Sequence, residues 1–122
     1  MDRQMFLDYI LDHYHNPRRR GKIEDADVVL KGGNPGCGDV VIIYLKKKED
    51  GTLEVSFEGE GCTVSQACAS ITCEFANGKS AEEILKLDYK FLEEHIGEEV
   101  LKTRFKCATL ALDTLKSAIQ GM

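Results

Sequence analysis

The sequence has no long apolar run, no excess of positive charge and no closely spaced cysteine pair. Each absence removes a class of function. The longest apolar stretch, Val40 to Leu45, is far short of the ~20 residues that cross a bilayer. The first residues, Met1-Asp2-Arg3-Gln4-Met5-Phe6-Leu7-Asp8, carry acids where a signal peptide needs an uninterrupted apolar stretch, so a cytoplasmic protein with no membrane partner is expected. The formal net charge of −5 argues against nucleic acid as a partner, because the one basic cluster, Arg18-Arg19-Arg20 with Lys22, is too short to reverse it. The lack of any Cys-x2-Cys pair disfavours a zinc ribbon or a ferredoxin-type cluster. No internal repeat, low-complexity segment or long linker divides the chain, so a single domain over residues 1–122 is expected.

What the chain does have is thiol. Five cysteines in 122 residues cannot all pair, and without export signals they are expected to be free thiols, metal ligands or redox groups. With 43% hydrophobic residues, the chain can build its core without disulfides. Metal or sulfur chemistry is therefore the leading class.

The hydrophobic pattern predicts an α+β fold. Phe6, Ile10, Leu11 and Tyr14 recur at helical spacing until Asn16-Pro17 stops them. Residues 17–27 read as an exposed charged loop. Val28–Leu30 reads as an edge strand, and Gly32 to Gly38 as turn throughout. Val40–Lys47, apolar on both faces, predicts a central strand. Leu53, Val55 and Phe57, alternating with Glu54, Ser56 and Glu58, predict a strand with one wet face, joined to it by a hairpin at Asp50-Gly51. A helix rich in small residues over 65–75, closed by Asn77-Gly78, follows. Ser80 and Glu83 then form a capping box for a short helix, and Gly97 punctuates again. Leu101, Phe105, Ala108, Leu112, Leu115 and Ile119 form the apolar stripe of a closing helix. A small three-stranded antiparallel sheet packed against several helices is the expected architecture.

Three of the cysteines lie where chain geometry can bring them together. Cys37 and Asp39, two residues apart between glycines, span at most ~7 Å between Cα atoms and can approach one ion or two adjacent irons. Cys62 sits at a strand-to-helix turn, where the helix dipole favours thiolate. Cys107 falls at the margin of the closing helix. Three thiolates and a carboxylate would complete a four-coordinate site for either zinc or a [2Fe–2S] cluster. Asp39, a harder ligand than thiolate, is expected to make one corner of such a cluster easier to release, so Asp39→Ala should slow transfer and prolong cluster lifetime. Lys106, beside Cys107, is a candidate site cation that would offset the negative charge of the ligands and lower the thiol pKa. Cys68 and Cys73, five apart, face different sides of a helix and are expected to be small buried residues, with Cys68 able to serve as an auxiliary thiol. His13, His15 and His95 lack metal spacing and are expected at the surface or in packing.

The segments Asn34-Pro35-Gly36-Cys37-Gly38-Asp39, Gly59-Glu60-Gly61-Cys62-Thr63-Val64-Ser65-Gln66-Ala67 and Lys106-Cys107-Ala108 together resemble the IscU/SufU/NifU N-terminal family of iron–sulfur cluster scaffolds. His13-Tyr14-His15-Asn16-Pro17-Arg18 and Gly78-Lys79-Ser80 are similar to it as well, and the resemblance covers essentially the whole chain. It implies a three-stranded antiparallel sheet in an α+β fold. The implied role is to receive persulfide sulfur from a cysteine desulfurase, build a labile [2Fe–2S] cluster with ferrous iron and an electron donor such as a ferredoxin, and pass it to apo iron–sulfur recipient proteins. The implied ligand set is Cys37, Asp39, Cys62 and Cys107, with zinc an alternative occupant. Cys107 and Cys37 are the implied persulfide acceptors.

Lysine at 106 resembles SufU, whereas the 45-residue step from Cys62 to Cys107 leaves no room for the insertion SufU carries there. Val100-Leu101-Lys102-Thr103-Arg104 stands where IscU has Leu-Pro-Pro-Val-Lys, leaving a dedicated Hsp70 chaperone without its usual motif. The expected function is thus a non-enzymatic scaffold. The alternatives are a zinc-dependent sulfurtransferase relaying persulfide, which rests on Lys106, and a small zinc-stabilised interaction module. The basic Arg18–Lys22 segment is a possible desulfurase dock.

Overall fold

Helix α1 (Arg3–His15) starts where the Asp2 side chain accepts from the Met5 amide and stops at Asn16, ahead of Pro17. A computed structural model describes residues 2–122. The chain continues through β1 (Val28–Asn34), β2 (Asp39–Lys47), β3 (Leu53–Glu60), α2 (Thr63–Ala76), α3 (Ala81–Leu85), α4 (Tyr89–Ile96), α5 (Glu98–Thr103) and α6 (Phe105–Gln120). The strands form an antiparallel sheet in the order β1-β2-β3, so β2 is central as its composition predicts. The Ser80–Glu83 capping box opens α3 as expected.

Helices α2 and α6 lie on one face of the sheet and bury Val41, Ile43, Leu45, Leu53, Val55 and Phe57. A second core, around Ile10, Ile71, Leu92, Ile96 and Leu112, joins α2 and α6 to α1, α4 and α5. Helix α2 is thus enclosed between sheet and helices, with every residue from Ser65 to Cys73 buried. Its small side chains explain how neighbours approach from all sides.

Several boundaries differ from the sequence reading. Strand β1 runs on through Gly32 and Gly33, read as turn, because α6 crosses it there: a Cβ at Gly32 would collide with Thr114 Oγ1. The expected closing stripe is broken at Arg104, so Leu101 belongs to α5 while Phe105 is 40% exposed. On α1 the inward residues are Ile10 and His13; Leu11 and Tyr14 are exposed.

The stretch 17–27 is only partly a free loop. Arg19 O accepts from Phe57 N (3.1 Å), Gly21 N donates to Phe57 O (2.8 Å), and Arg19 Nε donates to Val55 O (2.9 Å). This strap covers the outer edge of β3, which would otherwise present unpaired backbone groups. It also buries Ser56, read as wet, whose hydroxyl donates to Gly21 O. Arg18 is held by Asp12 at 2.6 Å and Arg20 by Gly59 O, so this basic run serves the fold.

His13 locks the same region from inside. It is 1% exposed, its Nδ1 lies 2.7 Å from Ser70 Oγ, and the Ser70 hydroxyl also accepts from Arg18 N. Burial, aided by the Arg18 charge and opposed by Glu74 and Asp12, holds the His13 pKa below its ordinary 6.5. The folded state therefore resists a proton that the unfolded chain accepts, so stability is complete above the unfolded value and falls as pH drops through about 6.5 toward the folded pKa. We expect the denaturation midpoint to be lower at about pH 5.5 than at about pH 7.5, and His13→Gln to flatten that slope. Equal slopes in both proteins would contradict the assignment.

Candidate metal centre

Two turns at one end of the sheet each hold a cysteine by a local device. Between β1 and β2, Cys37 N donates to Asn34 O at 3.1 Å and Gly38 takes φ +70°, which leaves Cys37 exposed at the tip. Asp39, at the first position of β2 opposite Asn34, points inward and is 1% exposed.

At the turn from β3 into α2, Cys62 is the N-cap. Its Sγ accepts from Ser65 N at 3.4 Å, while Ser65 Oγ donates to Cys62 O. The sulfur thereby satisfies one of the amides that the first turn of α2 leaves without an intrahelical acceptor. The two turns are tied together because Cys62 N donates to Asp39 Oδ1 at 2.9 Å. Gly61, at φ +148°, permits this: a Cβ there would meet Asp39 Oδ1 and come within 2.8 Å of Ser65 Oγ.

Cys107 lies in the first turn of α6 and is buried, not marginal. Ligand atoms of Cys37, Asp39 and Cys107 all lie within 4.8 Å of one another. Cys62 is tied to this group through its amide on Asp39, though its own sulfur stands outside the closest cluster. Asp39 Oδ2 is buried and has no hydrogen-bond partner. Such an orphan acceptor is costly unless something fills it, and a cation among thiols does so. Three sulfurs and one oxygen suit a soft or borderline ion, so the donor set fits zinc or an iron–sulfur cluster.

Burial, reinforced by the neighbouring Asp39, Cys62 and Cys37 groups, pushes the Cys107 thiol far above its ordinary pKa. A metal arriving there must displace the proton. This is opposite to the lowering expected from Lys106, which is exposed while burial dominates at its neighbour. Asn34 is the polar neighbour the sequence reading passed over, its Nδ2 standing 4.0 Å from Cys107 Sγ. Its register opposite Asp39 was the available signal.

Cys68 and Cys73 are fully buried within α2, and burial pushes each up to about 12. Cys68 belongs to the core around Ile10 and Leu92, and Cys73 to the core against the sheet. Alkylation of metal-free native protein should modify Cys37 first and leave these two untouched until denaturant is added. Mass-resolved labelling checks this, and early modification of Cys68 would restore its auxiliary role.

Fold and site define a small α+β protein that gathers thiols and one carboxylate at the end of a sheet. Residues 5–121 match the NifU-like N terminal domain family, and the chain belongs to it. The iron-sulfur cluster assembly scaffold protein IscU 1 of Archaeoglobus fulgidus is 42% identical over 115 residues, covering 94% of this chain and 74% of that protein. The zinc-dependent sulfurtransferase SufU of Bacillus subtilis is 31% identical over 132 residues, covering 94% and 89%. Among solved structures, a putative iron-sulfur cluster assembly scaffold protein for the SUF system from Fervidobacterium islandicum superposes with a TM-score of 0.76 at 29% identity, covering 98% of this chain and 99% of that one. No helix among the described residues is long and apolar enough to cross a membrane.

Proposed function

We propose that this chain is an assembly scaffold that receives sulfur from a cysteine desulfurase, builds a labile [2Fe–2S] cluster on Cys37, Asp39, Cys62 and Cys107, and passes it to apo-proteins. The observation that carries the proposal is the buried, unpartnered Asp39 Oδ2 beside the Cys37 and Cys107 thiols. Sulfur arrives when an acceptor thiolate, at Cys107 or Cys37, attacks the outer sulfur of the donor's persulfide. A new S–S bond forms, the donor's S–S bond breaks, and the donor cysteine leaves as thiolate and takes a proton. Each transferred sulfur then needs two electrons to become sulfide. Ferrous ions supply one each on becoming ferric, and an electron donor of ferredoxin type supplies the rest. Lys106, exposed at the rim, offsets the negative charge of the ligands.

A second reading, zinc-supported persulfide relay, has its own observation. Ligand atoms on one tetrahedral zinc stand about 3.7 Å apart at Zn–S distances of ~2.3 Å. The clustering of three within 4.8 Å resembles that spacing more than the wider one of a two-iron core. Anaerobic reconstitution with ferrous iron, cysteine and a cysteine desulfurase separates the two. About two iron and two sulfide per chain with zinc displaced supports the scaffold. About one retained zinc, with persulfide but no labile sulfide, overturns it for the relay.

A further inference from the structure

The basic run expected to dock a sulfur donor is engaged in the fold: Arg18 binds Asp12 and Glu74, Arg19 binds Glu54 and Val55 O, and Arg20 binds Gly59 O. Other cations stand at the mouth of the metal centre. A depression of about 420 Å³ there is lined by Cys37 and Cys107 together with Lys102, Arg104, Phe105 and Lys106, and no carboxylate lines it. Lys102 is shared with Glu98 at 2.6 Å, but Arg104 and Lys106 form no ion pair among the described residues. Phe105, 40% exposed and edge-on to Tyr89, adds an apolar contact.

This local field opposes that of the molecule. A body of net charge −5 repels an acidic partner at long range, whereas the lining of this mouth sets three cations and no carboxylate among the described residues beside the two thiols. Such a patch orients an acidic surface toward one site and accelerates its arrival. We infer that the 102–106 segment is the electrostatic seat for an acidic segment of the persulfide donor, holding the donor's persulfide over Cys37 and Cys107. The inference rests on the sulfur-acceptor reading above.

The test is the second-order rate of persulfide transfer from a cysteine desulfurase, measured against salt concentration. For the unaltered protein the rate should fall at least ~10-fold from low to high salt as screening shortens the field. Arg104→Glu with Lys106→Glu should lower the low-salt rate at least ~10-fold and flatten the salt dependence. Lys22→Glu with Lys116→Glu, equal in charge change but remote from the mouth, should leave both within about twofold. Arg104→Glu alone should bind zinc as the unaltered protein does, separating docking from damage to the centre. Reversals at the mouth that change neither the rate nor its salt dependence would overturn the docking assignment alone. No persulfide uptake by the unaltered protein at any salt would overturn the acceptor reading and this inference with it.

Discussion

Asp39→Asn should make the metal-free protein more stable and the metal-bound protein less so. The Asp39 carboxylate is 1% exposed, with Oδ1 accepting from Cys62 N at 2.9 Å and Oδ2 unpartnered. Without a metal, the second oxygen is a buried acceptor with no hydrogen-bond partner, a situation that ordinarily costs on the order of 1–3 kcal/mol. Asparagine keeps an acceptor for the Cys62 amide and replaces the orphan acceptor with an amide that can donate toward the neighbouring thiols, so metal-free stability should rise by about 1 kcal/mol. It also removes an oxygen of the proposed ligand set, and zinc affinity should fall at least ~100-fold.

Asp39→Ala goes further, because the Cys62 amide then loses its acceptor. Its metal-free stability should lie below that of the Asn variant by roughly 1 kcal/mol. Denaturation curves with chelator and with saturating zinc measure both quantities, since binding to the native state adds its own increment. An unchanged zinc increment in both variants would remove Asp39 from the ligand set. For a loaded cluster, the harder ligand's loss should still appear as slower transfer and longer lifetime.

The candidate ligands stood out in the sequence because each sits in a locally recognisable setting. A Gly-Cys-Gly-Asp turn and a cysteine before a helix are patterns of adjacent residues. Their convergence depends only on strand order, and β1-β2-β3 places both turns at the same end of the sheet. What could not be read was long-range. The strap of Arg19–Gly21 along β3 involves residues 36 positions from their partners, as in Arg19 Nε to Val55 O, and no periodicity marks it. The His13–Ser70 contact spans 57 positions and turns an unremarkable histidine into a buried one. Gly32 and Gly33 read as turn because glycine is common there, while their role is to let Thr114 approach the sheet. The break at Arg104 was hidden for a different reason: an apolar stripe continues across a backbone kink without changing period. Locating that break matters to function, since it turns Phe105 outward and sets Cys107 in the first turn of a new helix.

Gly61→Ala should be a severely damaging single-methyl change at the site. The residue occupies φ +148°, where an L side chain is strained, and its Cβ would meet Asp39 Oδ1 and lie 2.8 Å from Ser65 Oγ and 3.0 Å from Asp39 Cα. Asp39 Cα is strand backbone, and both side-chain oxygens are engaged in hydrogen bonds with Cys62, so yielding would break them. The expected cost is about 2–4 kcal/mol of stability, together with loss of zinc binding as the Asp39–Cys62 tie is forced apart. Gly51→Ala provides the contrast. It shares a positive φ of +87° but has nothing within 4 Å of the added carbon, so only the conformational cost of about 1 kcal/mol remains. Combining Gly61→Ala with Asp39→Ala tests the cause, because the second change deletes the carboxylate that the new methyl strikes. The pair should then be less destabilising than the sum of the two by at least about 1 kcal/mol. Strict additivity would mean that Gly61 is required for its backbone angle alone, and that the close approach of Asp39 to this turn contributes nothing to holding Cys62 in place.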